Sequence, residues 1–291
     1  MPSPSATTAD PACLIRLLRC PLCGGAFALA GASLHCASGH AFDLAREGYV
    51  NLLGKPLPGD ATEMVRARRG FLGRGYYRSL LEALAAQAGV HLAAIGGGAV
   101  LDAGCGEGYY LGGLSALLPP GAANCRLGLD VSRDAIRRAA RRYPGASWVV
   151  ADMRARLPFP DGAFAVLLDV FAPRNPAEFA RVLASGGLLL DAAPGPAHLA
   201  ELRAALPLLG IEPEKQAHIV ARFAGAFTPL ETIALDYEVT LPPDAVAEPL
   251  TMSPAYRHRD RRPAPAIGPD PVPTTVSFVV QAFRREPGTA V

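Results

Sequence analysis

The stretch VLDAGCGEG at 100–108 constrains this chain more than any other. A short apolar run ends in Asp102, and Gly104, Gly106 and Gly108 come next at alternate positions. Glycines there let the backbone turn tightly and approach a ligand at the carboxyl edge of a strand. The downstream chain keeps the same pattern. AVLDAG, CRLGLDV, SWVVAD, AVLLDVFA and GLLLDAAP read as buried strands, and YLGGLSALL, SRDAIRRAARRY and PAEFARVLA read as the helices between them. Strands alternating with helices at this spacing predict βαβ crossovers and a parallel, doubly wound sheet. IALDYEVTL and TTVSFVVQAF read as two final strands, separated by a Pro-rich insertion over 242–274.

Composition agrees with a large core. Half of the 291 residues are hydrophobic, which excludes wholesale disorder. No stretch reaches the roughly 18 unbroken apolar residues of a membrane helix, and MPSPSATTADPAC lacks a basic segment leading into an apolar one. A soluble, cytoplasmic protein with no membrane contact is expected. The net charge of +2 conceals an asymmetry: residues 1–90 carry nine Lys/Arg against six Asp/Glu, and the remainder carries 19 against 20. Basic character at the front favours a polyanionic partner there.

Asp130 ends the second strand, where a carboxylate can accept both hydroxyls of a ribose. Asp152 ends the third, where it can accept from an adenine amino group or lie beside the base, or else cap the next helix. A strand ending in G-x-G-x-G, with strand-end acids on its two successors, describes an adenosine site without a phosphate cradle. This domain resembles the class I S-adenosyl-L-methionine-dependent methyltransferases. That resemblance implies an α/β, Rossmann-like, seven-stranded sheet, with the cofactor on Asp102, Gly104, Gly106, Glu107, Gly108, Asp130 and Asp152.

A second feature lies upstream. Cys20-x2-Cys23-x12-Cys36-x3-His40 offers four ligands at spacings typical of structural zinc. Four protein ligands leave no open position, so one Zn2+ there would brace a small fold and do no chemistry. His35 is an alternative fourth ligand, less well placed beside Cys36. Cys105 sits inside the glycine loop, and Cys13 and Cys125 read as ordinary thiols, since a disulfide framework belongs to small secreted domains. Residues 1–13 are expected to be a flexible tail, 14–54 a zinc-binding domain, 55–92 a helical connector and 93–291 the methyltransferase domain. Asp60 and Glu63 fit a capping box at the start of a helix running to Leu72. A second helix is predicted from Tyr77, after the Gly73–Gly75 break. Arg66, Arg68 and Arg69 on the first of these suit RNA, or only a solvated face.

The strand-end segment LLDVFAPRNP carries neither the Asn/Asp-Pro-Pro-aromatic motif of exocyclic amine methylation nor a Pro-Cys nucleophile. A ring nitrogen, an oxygen or a small molecule is the expected acceptor. CPLC…HCASGHAFDLAREGYVNLL, the segment at 61–72, LDAGCGEGYY, APGPAHLAEL and MSPAYR together resemble the 23S rRNA (guanine-N1)-methyltransferases. The likeness runs from about Leu18 to Arg284. It implies transfer to N1 of a guanine in the helix 35 hairpin of 23S rRNA, at 745 or 748 in rRNA numbering. One branch of that family confers macrolide resistance, and its members pair as homodimers. It further implies that Tyr77 and His198 stand beside the cofactor. Asp169, Arg174 and His198 are the groups near the right strand ends that could handle the N1 proton; none is assigned as the base. A small-molecule methyltransferase with a zinc-braced lid and an inactive zinc-dependent RNA-binding protein are the competing readings. Cofactor titration and labelling of RNA separate them.

Overall fold

The computed structural model describes residues 11–206, 208, 210–212, 214–253, 256 and 268–287. Helix α1 (Pro11–Leu17) leads into a three-stranded antiparallel sheet of β1 (Phe27–Ala30), β2 (Ser33–Cys36) and β3 (Ala41–Asp43). Strand β4 (Tyr49–Asn51) precedes two helices, α2 (Thr62–Gly73) and α3 (Arg78–Ile95). The alternating region then runs β5 (Gly98–Ala103), α4 (Tyr109–Leu117), β6 (Ala123–Asp130), α5 (Arg133–Arg142), β7 (Ser147–Val150), β8 (Phe164–Val170), α6 (Pro176–Val182) and β9 (Leu183–Pro194). It closes with α7 (Ala200–Ala205), α8 (Lys215–Phe223), β10 (Phe227–Leu241), α9 (Glu248–Thr251) and β11 (Val272–Arg285).

The large sheet has the order β10-β11-β9-β8-β5-β6-β7-β4. Strands β4 to β9 within it pair in parallel, and β11 inserts antiparallel between β9 and β10. The order reverses between β5 and β8, so the ligand crevice of such a sheet opens above the end of β5. All seven expected strands are present, with an eighth at the edge. Tyr49–Asn51, inside the stretch expected to belong to the zinc-binding domain, pairs with Trp148–Val150 of β7 and extends the large sheet.

Helices cover both faces, because the parallel strands are apolar on both. Every residue of β8 is buried. One core layer joins Phe71, Leu80 and Leu84 to Val100, Trp148 and Leu168. The other joins Leu14 and Leu18 of the N-terminal unit to Leu127, Leu129, Phe179 and Phe223. The N-terminal unit is therefore packed onto the sheet.

Several expectations need correction. Residues 11–13, expected within a flexible tail, are helical instead: Pro11–Leu17 forms a helix that buries Cys13, Leu14 and Leu17, and residues 1–10 lie outside the described residues. Cys13 and Cys125 are joined in a disulfide, with Cα atoms 5.8 Å apart, so they are not ordinary thiols. The capping box does not form: the N-cap of α2 is Ala61 with no side-chain bond, and Asp60 instead pairs with Arg68 at 2.6 Å. A charge-assisted bond to a guanidinium outcompetes a single backbone N–H. The helix expected over PAEFARVLA stops at Val182. Pro254, Ala255 and Arg257 of MSPAYR lie outside the described residues.

Candidate cofactor site and metal centre

The glycine loop joins β5 to α4 above the point where the strand order reverses. Gly104, Gly106 and Gly108 all adopt positive φ, at 80°, 55° and 84°. Their reasons differ. A Cβ at Gly104 would lie 2.4 Å from that of Ala172, and one at Gly108 would meet the Trp148 ring at 2.5 Å. Those two let neighbours close in. Around Gly106 the nearest atom is Arg68 Nη1 at 3.4 Å, so this glycine keeps the approach side open.

Asp130 holds the loop. Its Oδ2 accepts the Gly106 N–H at 2.9 Å and its Oδ1 accepts the Ser132 N–H at 2.7 Å. Each oxygen keeps a second lone pair, so the carboxylate can still accept two hydroxyls. Burial raises its pKa, opposed by these two backbone bonds and by Arg68. Asp102, one strand over, is buried, and neither oxygen has a partner of good hydrogen-bond geometry among the described residues. Burial, with the Asp130 charge added, pushes its pKa up to about 7. Glu107 is likewise pushed to about 7 by burial, against Arg142, Arg69, Arg68 and Arg138. Asp152 is half-exposed beyond β7, and its Oδ1 accepts the Arg154 N–H at 2.9 Å. No helix starts here, so Asp152 closes a turn and does not cap a helix.

Tyr77 and His198 come from distant parts of the chain and meet. The Tyr77 hydroxyl lies 3.0 Å from His198 Nε2, and both side chains are buried. Phe171 bridges this pair to the glycine loop, its ring 6.3 Å from Tyr77 and 6.3 Å from Tyr110. The Tyr110 hydroxyl is buried and has no hydrogen-bond partner among the described residues. Asp169, next to Asp191 across β8 and β9, is also buried, and neither oxygen has a partner of good hydrogen-bond geometry among the described residues. Burial and the Asp191 charge push its pKa well up. Asp191 is held by Arg174, which donates from Nε at 2.6 Å and from Nη2 at 2.8 Å.

These groups fit S-adenosylmethionine. Orphaned buried acceptors at Asp102 suit its cationic amino-acid end, the braced Asp130 suits a ribose, and Gly106 leaves room for close approach. An unpaired buried carboxylate is costly, and a cation restores what it lost on leaving water.

The sulfur and nitrogen donors at the N-terminus also converge. Cys20, Cys23, Cys36 and His40 place their ligand atoms within 4.8 Å of one another. His40 Nδ1 lies 3.4 Å from Cys20 Sγ and 3.3 Å from Cys36 Sγ, and Cys23 Sγ lies 3.6 Å from Cys36 Sγ. A tetrahedron with zinc–sulfur and zinc–nitrogen bonds of about 2.3 and 2.0 Å has edges of about 3.5–3.8 Å. Those three pairs lie close to that spacing. Backbone bonds from Gly24 to Cys20 O and from Gly39 to Cys36 O form the two knuckles. His35 lies exposed in β2, paired opposite Ala28, outside the cluster.

The sequence singles out Arg174 and, within EGYY, Tyr110, but not Phe171 or the pairing of Arg174 with Asp191, because those depend on neighbours remote in the chain. Arg68, expected on an RNA-facing or solvated surface, is turned inward. It reaches Asp60, the Met252 carbonyl at 3.1 Å and the glycine loop. Arg66 and Arg69 are exposed.

Residues 18–56 match the zinc-ribbon family described as RlmA, N-terminal, and residues 100–187 match a methyltransferase domain family. The chain is 41% identical to a 23S rRNA (guanine(748)-N(1))-methyltransferase of Streptomyces fradiae, over 92% of this chain and 97% of that one. Two further relatives carry a provisional name of the same type. One, from Micromonospora griseorubida, is 38% identical over 94% of this chain and 98% of its own length. The other, from Bacillus subtilis, is 35% identical over 82% and 86%. With its zinc ribbon and its S-adenosylmethionine-dependent methyltransferase domain, this chain belongs to the 23S rRNA (guanine-N1)-methyltransferase family.

Proposed function

We propose that this protein transfers a methyl group from S-adenosylmethionine to N1 of guanosine 748 in the helix 35 hairpin of 23S rRNA. The observation that carries the reading is the 41% identity spanning 97% of the Streptomyces fradiae protein, whose name specifies that position. The site supports it. Asp130 takes the ribose hydroxyls, Asp152 lies beside the base, and Gly104, Gly106, Glu107 and Gly108 shape the floor. Asp102 faces the amino group, and Tyr77 with His198 closes the far side. Cys20, Cys23, Cys36 and His40 hold one zinc, which fixes the ribbon against the sheet.

S-adenosylmethionine supplies a methyl group on a sulfonium, already a good leaving group. The protein's task is to hold guanine N1 in line with it and to exclude water. N1 carries a proton near neutral pH, so a nearby acceptor assists its attack. Asp169 is a buried carboxylate one residue before the end of β8, with no hydrogen-bond partner among the described residues, which makes it a candidate to take that proton. The Watson–Crick edge of guanine is hidden in a duplex, so a loop or extruded nucleotide is required.

Labelled cofactor and a helix 35 hairpin transcript test this directly. Label in the RNA, with a primer-extension stop at 748, is the expected result. A stop at 745 would move the target; absence of label from the RNA would overturn the reading in favour of a small-molecule acceptor. Pairing as a homodimer belongs to the same reading and is checked by sedimentation of the zinc-loaded protein. Macrolide resistance is read separately, from the drug susceptibility of cells with and without the gene. Among the described residues no helix is long and apolar enough to cross a membrane.

A further inference from the structure

Phe171 stands out twice. Among the described residues it is the one aromatic in the set of exposed large apolar side chains, at 42%. It also has φ of 57°, in the left-handed region that a bulky side chain avoids. Strain of this kind persists only where the surroundings enforce it, and it gathers at functional sites.

The surroundings do enforce it. On one side of the turn the Phe171 N–H donates to the Ala192 carbonyl at 3.1 Å. On the other, Arg174 is clamped on Asp191, and Asn175 Nδ2 donates to the Met153 carbonyl at 2.9 Å. The reversed φ ends the alternation of β8 and folds Ala172 over Gly104, where only a glycine allows it. The Phe171 ring is tilted against Phe278 at 5.4 Å and meets Tyr77 and Tyr110 edge-on at 6.3 Å each. Three aromatic contacts hold the ring, yet much of its surface remains open. Two residues earlier lies Asp169, buried and with no hydrogen-bond partner among the described residues.

We propose that Phe171 is the platform on which the target guanine stacks, so that the base is presented to the methyl donor at the glycine loop. This rests on the function proposed above. An unstacked base needs a flat apolar face to replace the neighbours it has left, and aromatic side chains are the common substitute. A rigid ring serves better than a mobile one, because in-line displacement depends on a narrow range of positions. The strained, doubly anchored turn supplies that rigidity.

The test uses zinc-loaded full-length protein and the helix 35 hairpin transcript. Phe171→Leu keeps bulk and loses the flat face; Phe171→Tyr keeps both. From the worth of one base–aromatic stack, Phe171→Leu should lower kcat/KM by roughly 5- to 100-fold, and Phe171→Tyr should restore it to within about threefold. Cofactor Kd should stay within about twofold for both, a result that a merely structural role would not give. Phe171→Leu as active as Phe171→Tyr would overturn the proposal. A separate arm does not require transfer. Phe171→Trp adds an open indole to a chain whose single native tryptophan, Trp148, is buried. Saturating hairpin should quench the new emission. Quenching in Phe171→Trp, with no methylation of the hairpin by the wild-type protein, would uphold the stacking platform and overturn the assigned reaction. Methylation without quenching would do the reverse.

Discussion

The Tyr77 hydroxyl and His198 Nε2 lie 3.0 Å apart, and the Ser277 N–H donates to Nδ1 of the same imidazole at 3.3 Å. A backbone N–H can only donate, so Nδ1 must be the bare nitrogen and Nε2 must carry the proton. Nε2–H then donates to the Tyr77 oxygen, which leaves the phenol proton to be given elsewhere. Burial, with Arg203 nearby, lowers the His198 pKa to about 3. The ring is neutral throughout the working range, and Tyr77 is held as a donor.

His198→Phe should therefore weaken cofactor binding by about 5- to 15-fold, the worth of one or so kcal/mol of hydrogen bonding. His198→Gln, which can present an N–H at a similar place, should recover at least half of that in free energy. Calorimetric titration gives both values. Equal losses for Phe and Gln would refute the donor role. Wild-type affinity should show no inflection from His198 between pH 5 and 9.

Asp102 should impose a pH dependence instead. Its pKa of about 7 means that it is largely protonated below neutrality, so a cation meets an ionised partner only above it. Cofactor affinity should fall as pH drops from 8 to 6, by up to about tenfold per unit below the pKa. The stability sign is opposite. The folded state holds this proton more tightly than the unfolded chain, so the group lowers stability as pH rises from about 4 through 7. Asp102→Asn should abolish detectable cofactor binding, yet raise the melting temperature of the cofactor-free protein at pH 8 by about 2–5 °C. A melting temperature below wild type would count against the burial argument.

Zinc should be present at one atom per chain, since four ligand atoms converge in a single cluster among the described residues. Cys36→Ser should lose the metal and unfold the ribbon, because so small a unit has little core of its own. Leu14 and Leu18 share a core layer with Leu127 and Leu129, so the loss should propagate to the sheet. Atomic absorption and circular dichroism read the two effects. Metal-free protein with an unchanged melting temperature would exclude a structural zinc.

Arg174 and Asp191 should behave as a buried pair, Asp191 being 1% exposed at the side chain and Arg174 16%. Removing only the cation leaves a carboxylate stranded, and Arg174→Ala should cost about 3 kcal/mol in denaturant unfolding. The double variant Arg174→Met, Asp191→Leu should cost less than that single change. Additive losses would show that the pair contributes as two independent groups.

The fold was largely legible in the chain because local signals agreed with the global one. Apolar runs ending in Asp102, Asp130 and Val170 fall at the ends of β5, β6 and β8, where a doubly wound sheet collects its ligand groups. The Cys and His spacing was equally plain, since metal geometry restricts which sequence separations can close. Helix starts were harder. Asp60 had the right neighbour for a cap and a better one, Arg68, eight residues on.

Sequence by itself determined the sheet, the zinc cluster and the acids at the strand ends, because each rests on spacing within one element or one turn. Tertiary structure alone decided three other things: that Tyr49–Asn51 would join the large sheet as an eighth strand, that Cys13 would meet Cys125, and that Tyr77 would lie against His198. Phe171 belongs with these. Its identity is written in the chain, but its exposure and its reversed φ result from Ala192, Asp191 and Met153 closing on one turn. Those are contacts between residues that no local periodicity relates, and they exist only once the core has packed.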